Sequence, residues 1–307
     1  MSAFFLLMLK IAWREEYNHP LPENHRFPME KYELIPEQLL YEGTIEQANL
    51  FAPQVLSEEA ILRCHTQEYW EKLKGLKLTR SEERKTGFPL SQALVNRETI
   101  INQGTIEAAE YAIKYGIAMN VAGGTHHAFT DRGEGFCLLN DIAIAAKHLI
   151  NKQLAKQVLV VDLDVHQGNG TAEIFQNDPS VYTFSMHGGH NYPLHKEKSD
   201  LDIPLPDKCD DQHYLKLLYE NLPRLIDEVR PDHIFFQSGV DILSTDKLGR
   251  LGVSKAGCKK RDQYVLKKAK ESGIPITVVM GGGYSVKIAD IVDAHANTYR
   301  LAQEIFF

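Results

Sequence analysis

Val158-Leu159-Val160-Val161-Asp162-Leu163-Asp164-Val165-His166 decides the reading of this 307-residue chain. Four successive apolar residues, three of them valine, have the pattern of a strand buried on both faces of a parallel sheet. The run ends in two carboxylates and an imidazole at alternate positions. Side chains alternate between the faces of a strand, so Asp162, Asp164 and His166 are expected to point the same way from its carboxyl end. Burying three such groups together is costly unless a cation joins them. A carboxylate and an imidazole two residues apart suit a divalent metal, zinc above all. The competing reading is an N-capping aspartate and a satisfied histidine at a strand-to-helix turn.

The signal recurs on either side. A strand over 117–122 runs into Gly123-Gly124-Thr125-His126-His127, and a helix follows over 140–152. After the central strand come a short helix (171–175) and a strand (181–186) ending in His187-Gly188-Gly189-His190. A helix over 211–229 precedes a strand (233–237) that delivers Ser238-Gly239-Val240-Asp241. A helix over 255–271 precedes a strand (276–280) and Gly281-Gly282-Gly283-Tyr284, and a last helix runs to 303. Upstream, a first core strand is expected over 9–13, behind a short apolar extension at 1–8. A Pro-rich loop (18–25) and short helical pieces over 36–74 follow, one of them N-capped by Ser57. A mobile charged loop is expected over 79–88, and a helix over 91–115 stops at Gly116. Strands alternating with helices mean an α/β fold with a parallel sheet covered on both faces. Five consecutive strands place polar or glycine-rich residues past their carboxyl ends, where sites form in such sheets. Nothing linker-like divides the chain, so 1–307 reads as one domain.

A net charge of −7 argues against nucleic-acid binding, and an acidic rim would attract lysine-rich tails. Cys64, Cys137, Cys209 and Cys258 are scattered, which favours a reducing cytoplasm over a disulfide framework. The apolar run at 2–9 is too short to span a bilayer and lacks a basic leader.

A catalytic metal needs a third ligand, and Asp241 is the candidate; the same residue would serve equally as a helix N-cap. Two carboxylates and one imidazole leave the metal a strong Lewis acid. The His126-His127 pair after a double glycine is a general acid/base candidate. Gly281-Gly282-Gly283 could make a tight turn or anion nest with Tyr284 as packing, or bring the phenol to an oxyanion.

Four motifs, Gly123-Gly124-Thr125-His126-His127-Ala128, Gly135-Phe136-Cys137-Leu138-Leu139-Asn140-Asp141, the stretch from Asp162 to Gly170, and Gly282-Gly283-Tyr284, occur in the order of the zinc-dependent histone deacetylase family. The chain resembles that family over 9–301, its class IV branch and bacterial deacetylase-like proteins most. The resemblance implies the arginase/deacetylase fold, a mostly parallel eight-stranded sheet between two helical layers. It implies removal of an acyl group from lysine side chains of proteins or peptides, with small acylated amines such as polyamines as the alternative. By the same resemblance, Asp164, His166 and Asp241 are zinc ligands (a set ferrous iron also tolerates), and His127 is the general base. His126 is its electrostatic companion, oriented by Asp162, and Tyr284 polarises the amide carbonyl. Gly135, Phe136, Tyr192 and Gly283 are substrate-binding positions. Asp162, Asp164, His166, Ser185 and Met186 match a potassium site, and Phe175, Asp178 and Val181 a second monovalent site from whose usual pattern Asp178 departs. Two further departures concern the chemistry. Asn169 stands where class I members pair the base with an aspartate, so His127 should keep a lower pKa. The loop expected before Gln103 also lacks the carboxylate that some members use to hold a peptide backbone. A binuclear manganese ureohydrolase on the same fold would need carboxylates where Asn169 and Leu243 stand. A non-catalytic metal-pocket protein is the other alternative.

Overall fold

The computed structural model describes residues 8–307, so the apolar extension expected at 1–8 lies, apart from Met8, outside the described residues. Eight strands form one sheet: β1 (Lys10–Ala12), β2 (Leu50–Phe51), β3 (Ile117–Asn120), β4 (Val158–Asp162), β5 (Val181–Gly188), β6 (Leu201–Leu205), β7 (His233–Gln237) and β8 (Ile276–Val279). Their order is β2-β1-β3-β8-β7-β4-β5-β6, and every pairing is parallel. All residues of β3, β4, β7 and β8 are buried. Strands buried on both faces require helices above and below. On one face α5 (Gln92–Tyr115) packs against α6 (Asp141–Asn151) and along β3. On the other, α8 (Asp211–Val229), α9 (Lys255–Glu271) and α10 (Ile288–Phe306) pack side by side, with α1 (Lys31–Tyr41) against α10. Short helices α2 (Glu58–Leu62), α3 (Gln67–Lys74), α4 (Arg80–Thr86) and α7 (Asn169–Phe175) complete the chain. Among the described residues, no helix is long and apolar enough to cross a membrane.

Several expectations need correcting. The stretch 79–88 is helix α4 rather than a mobile loop. Thr79 accepts from the Glu82 amide while Glu82 accepts from the Thr79 amide, and Gly87 closes the helix at φ +80°. That reciprocal capping outweighs the charged composition. The first helical piece starts at Lys31, with Pro36 inside it rather than at its head. Strands β2 and β6 were not anticipated. β2 has two residues, and β6 is an edge strand with Pro204 in it, so neither carries a buried apolar run. Because β6 intervenes, the five site-bearing strands are not consecutive in sequence. They are contiguous in space, as β3-β8-β7-β4-β5.

One side chain links the ends of the neighbouring strands β4 and β7. Arg261 of α9 has no exposure, and its guanidinium donates to the carbonyls of Leu163 (3.1 Å), Ser238 (3.1 Å) and Gly239 (2.6 Å). Asp262 balances its charge at 2.7 Å and accepts from Thr298 at 2.8 Å. Replacing Arg261 by Met would strand a buried carboxylate and three carbonyls. The expected loss of stability is about 3–5 kcal/mol in denaturant unfolding. A loss under about 1 kcal/mol would contradict this role.

Candidate metal centre and its tunnel

Register places the ligand-bearing loops next to each other. Asp162, the last residue of β4, pairs with Gln237 at the end of β7 and with Ser185 of β5. Beyond it the chain turns on its own carboxylates. The Asp164 amide donates to Asp162 Oδ1 (3.1 Å) and the His166 amide to Asp164 Oδ1 (3.0 Å). Asp164, His166 and Asp241 then converge, all buried, with one ligand atom from each within 4.8 Å of the others. Among the described residues they are the only such cluster of three. The helix-cap alternative fails for Asp241: the next helix begins at Lys255, and Asp241 Oδ1 accepts instead from the Val165 amide at 2.9 Å.

The donor set fits a divalent ion. Asp241 Oδ2 is buried with no hydrogen-bond partner, although His166 Nδ1 stands 3.2 Å away. A buried carboxylate oxygen left in that state implies a cation. Gly282 makes room for it, since a Cβ there would lie 2.0 Å from Asp241 Oδ2 and 2.9 Å from Asp164 Oδ2. Without a metal, burial disfavours the His166 imidazolium, but Asp164 and Asp241 outweigh burial and push its pKa up to about 10.

Two histidines with opposite tendencies flank the cluster, ring centroids 4.1 Å apart. His126 Nδ1 meets Asp162 Oδ2 at 2.7 Å, and its Nε2 lies 4.0 Å from Asp164 Oδ1. Burial lowers its pKa, but the charge and hydrogen bond of Asp162 prevail and raise it. His127 Nδ1 meets Asn169 Oδ1 at 2.6 Å. Burial first, then the positive charges of His126 and His166, hold its pKa well below the usual histidine value. Such divergent neighbours are the signature of separate acid and base roles. Across the cluster stands Tyr284, whose ring centroid is 6.4 Å from that of His166. Burial and the charges of Asp241 and Asp164 raise its pKa well above 10, so the phenol stays protonated.

A cavity of about 490 Å³ leads to this centre between Phe136 and Tyr192, reaching His127, His166 and Tyr284. Gly135 allows the close approach: it has φ +53°, and a Cβ there would sit 2.6 Å from His127 Cδ2. Phe136, itself at φ +69°, packs against Phe27 and Tyr284. Tyr192 stands edge-on to His127 and donates to Glu134 at 2.7 Å. Gly281 and Gly282 line the innermost cavity, of about 40 Å³. Gly283 instead packs on Val240, where a Cβ would come within 2.7 Å. Gln103 lies inside α5, bonded to Glu107, so no loop precedes it. Nor is the rim acidic, because Arg26, Arg84 and Lys85 line the entrance. Of the potassium positions, Ser185 is buried beside Asp162 and bonds His187 (2.9 Å), and Met186 is fully buried. Phe175, Asp178 and Val181 share one turn, in which Asp178 Oδ1 accepts from Ser180.

Sequence reasoning missed two residues here. Lys31 is completely buried, donates to the Gly281 carbonyl (3.2 Å) and lies 5.6 Å from the Tyr284 ring centroid. Burial lowers its pKa to about 8 against the pull of Asp241 and Asp164. Asp246 accepts from the Tyr284 amide at 2.6 Å and fixes that loop from the other side. In sequence, Lys31 sits among charged residues at a helix start and resembles a solvated lysine. Asp246 lies in a loop without a pattern.

A three-ligand cluster at strand ends, a split histidine pair and a protonated phenol together define the equipment of a metal-assisted hydrolase. Residues 25–299 match the histone deacetylase domain. An uncharacterised protein of Picosynechococcus sp. is 41% identical over 296 residues, 96% of this chain and 99% of its own. Histone deacetylase clr6 of Schizosaccharomyces pombe is 31% identical over 88% of this chain and 69% of its own. Histone deacetylase 2 of Arabidopsis thaliana is 29% identical over 87% and 72%. The crystal structure of an HDAC homologue complexed with SAHA shares the fold, with a TM-score of 0.83 over 96% of this chain and 84% of its own at 23% identity. The chain belongs to the histone deacetylase family, and with it to the arginase/deacetylase fold. Its activity is that of a hydrolytic deacetylase.

Proposed function

We propose that residues 1–307 act as one domain that hydrolyses acyl-lysine in proteins or peptides, with Asp164, His166 and Asp241 holding zinc. The observation that carries this reading is the orphaned Asp241 oxygen at the foot of a tunnel whose end also meets His127 and Tyr284. Zinc, or ferrous iron on the same ligands, would supply Lewis acidity to the amide carbonyl and to the attacking water. The remaining chemistry belongs to the chain. His127 donates from Nδ1 to Asn169 Oδ1, which leaves Nε2 as the free base. Its low pKa keeps that nitrogen unprotonated throughout the neutral range. Water adds to the carbonyl carbon, the C–N bond breaks, and His127 carries the water's proton to the departing amine. Tyr284 donates its hydroxyl hydrogen to the oxyanion. His126, held by Asp162, whose charge and hydrogen bond raise its pKa, is the electrostatic companion beside the base. Phe136 and Tyr192 flank the lysine stem. A potassium ion near Asp162 and Ser185, and a second monovalent ion near Asp178, belong to the same proposal.

The innermost cavity, lined by Gly123, Gly124, Gly281 and Gly282 and small at about 40 Å³, would receive the acyl group, and its small size favours acetyl over long chains. SAHA, bound by the homologue of known structure, is consistent with such a tunnel. The ureohydrolase alternative loses its second metal, since Asn169 is engaged with His127 and Leu243 is buried in the core.

Turnover of acetyl- and myristoyl-lysine peptides by the wild type and by Tyr284→Phe tests this reading. Acetyl-lysine is expected to be the better substrate. The variant should lose about 10²–10³-fold in kcat while retaining its metal. Near-normal turnover by Tyr284→Phe would refute the mechanism. The pH profile offers a second check. Asn169→Asp puts a negative charge beside Nδ1 and raises the His127 pKa, so less free base is present at a given acidic pH. The acidic limb of kcat/KM should move up by about one pH unit or more. An unmoved limb would exclude Asn169 as the group that sets the base.

A further inference from the structure

The geometry points to an acyl-lysine substrate flanked by acidic residues, recognised by Arg26, Arg84 and Lys85 at the tunnel entrance; this rests on the deacylase reading above. The chain carries a net charge of −7, yet three cations line its entrance. All three side chains are exposed, and none has an ion pair or side-chain hydrogen bond among the described residues. The one carboxylate in the lining, Glu134, is already engaged by Arg132 Nε (2.9 Å) and the Tyr192 hydroxyl (2.7 Å). The local field at the mouth is therefore positive, opposite in sign to the molecule as a whole.

These cations are not on loose segments. Arg26 lies over the Phe136 ring, its guanidinium carbon 5.0 Å from the centroid, which directs it along the tunnel wall. Arg84 and Lys85 occupy the last turn of α4, whose start is fixed by the Thr79–Glu82 capping box. The end of that helix is tied to the wall, because the Gly135 and Phe136 amides donate to the carbonyls of Lys85 (2.9 Å) and Thr86 (2.7 Å). The backbone that shapes the tunnel thus also carries the charges. At physiological salt the Debye length is about 8 Å, so substrate residues within two or three positions of the acyl-lysine feel this field. Carboxylates at those positions gain, basic flanks lose, and cationic acyl-polyamines are repelled. A peptide fits better than a small anion because the cations come from two separate segments, at Arg26 and at Arg84 with Lys85, and can meet more than one carboxylate.

The test compares three acetyl-lysine peptides, with Asp/Glu, neutral or Lys/Arg flanks, and the small anionic amide Nα,Nε-diacetyl-lysine, on the metal-loaded full chain. The acidic peptide should exceed the basic one in kcat/KM by about tenfold at low salt, and the ratio should shrink towards one at high salt. Arg84→Glu/Lys85→Glu, on exposed positions, should reverse the order. Equal rates for the three peptides, with the neutral one turned over, would overturn the acidic preference and leave the deacylase reading standing. Nα,Nε-diacetyl-lysine outpacing the acidic peptide would assign the cations to a small anionic amide and overturn the peptide proposal. No turnover of any substrate would overturn the deacylase reading and the preference with it.

Discussion

Asp164 and Asp241 bring two buried carboxylates together just past the carboxyl ends of β4 and β7, and the surrounding structure answers that electrostatic cost. His166 stands between them, 3.1 Å from one and 3.2 Å from the other. Gly282 offers a backbone amide to Asp164 Oδ2 at 2.8 Å, and Val165 offers one to Asp241. Lys31 adds a buried positive charge at the Gly281 carbonyl. Arg261 ties the carbonyls that follow β4 to those that follow β7, so the loops bearing the two aspartates cannot separate. These contacts share the load without cancelling it. Asp241 Oδ2 still has no hydrogen-bond partner, and that remaining deficit is what fits the cluster to a cation.

The same field sorts the other groups. A single buried environment drives the His126 pKa up and the His127 pKa down, because Asp162 is ionisable and Asn169 is not. It keeps Tyr284 protonated, by burial first and then by the charges of Asp241 and Asp164. Base, electrostatic companion and oxyanion donor thus differ by their neighbours more than by their own chemistry. Further out the sign reverses. The entrance is lined by Arg26 and by Arg84 and Lys85, the latter two on a helix whose end is tied to Gly135 and Phe136, so part of the tunnel wall and its charge share one backbone.

Much of this was legible in the residues. The valine run and the alternating Asp162, Asp164 and His166 announced a buried strand with a loaded end, and Ser57 and Gly116 marked helix boundaries that the structure keeps. What escaped had physical reasons. The stretch 79–88 looked like a solvated loop because its charges dominate, although Thr79 and Glu82 already spelled a capping box. β6 lacked an apolar run because an edge strand buries little. Lys31 and Arg261 looked like surface cations, since burial of a charge depends on partners hundreds or tens of residues away. Net charge predicted an acidic rim, but a sum over the chain says nothing about where Arg26, Arg84 and Lys85 gather. Asp241 was named as the third ligand from its strand-end position and the resemblance, and strand order is what brings it to Asp164.

The most direct measurement of the metal centre is anomalous diffraction at the zinc edge from crystals grown with zinc. One peak is predicted, about 2.0–2.2 Å from His166 Nδ1 and from an oxygen each of Asp164 and Asp241. Two peaks about 3.5–4 Å apart, or a bound ion with none between these three residues, would contradict a mononuclear centre.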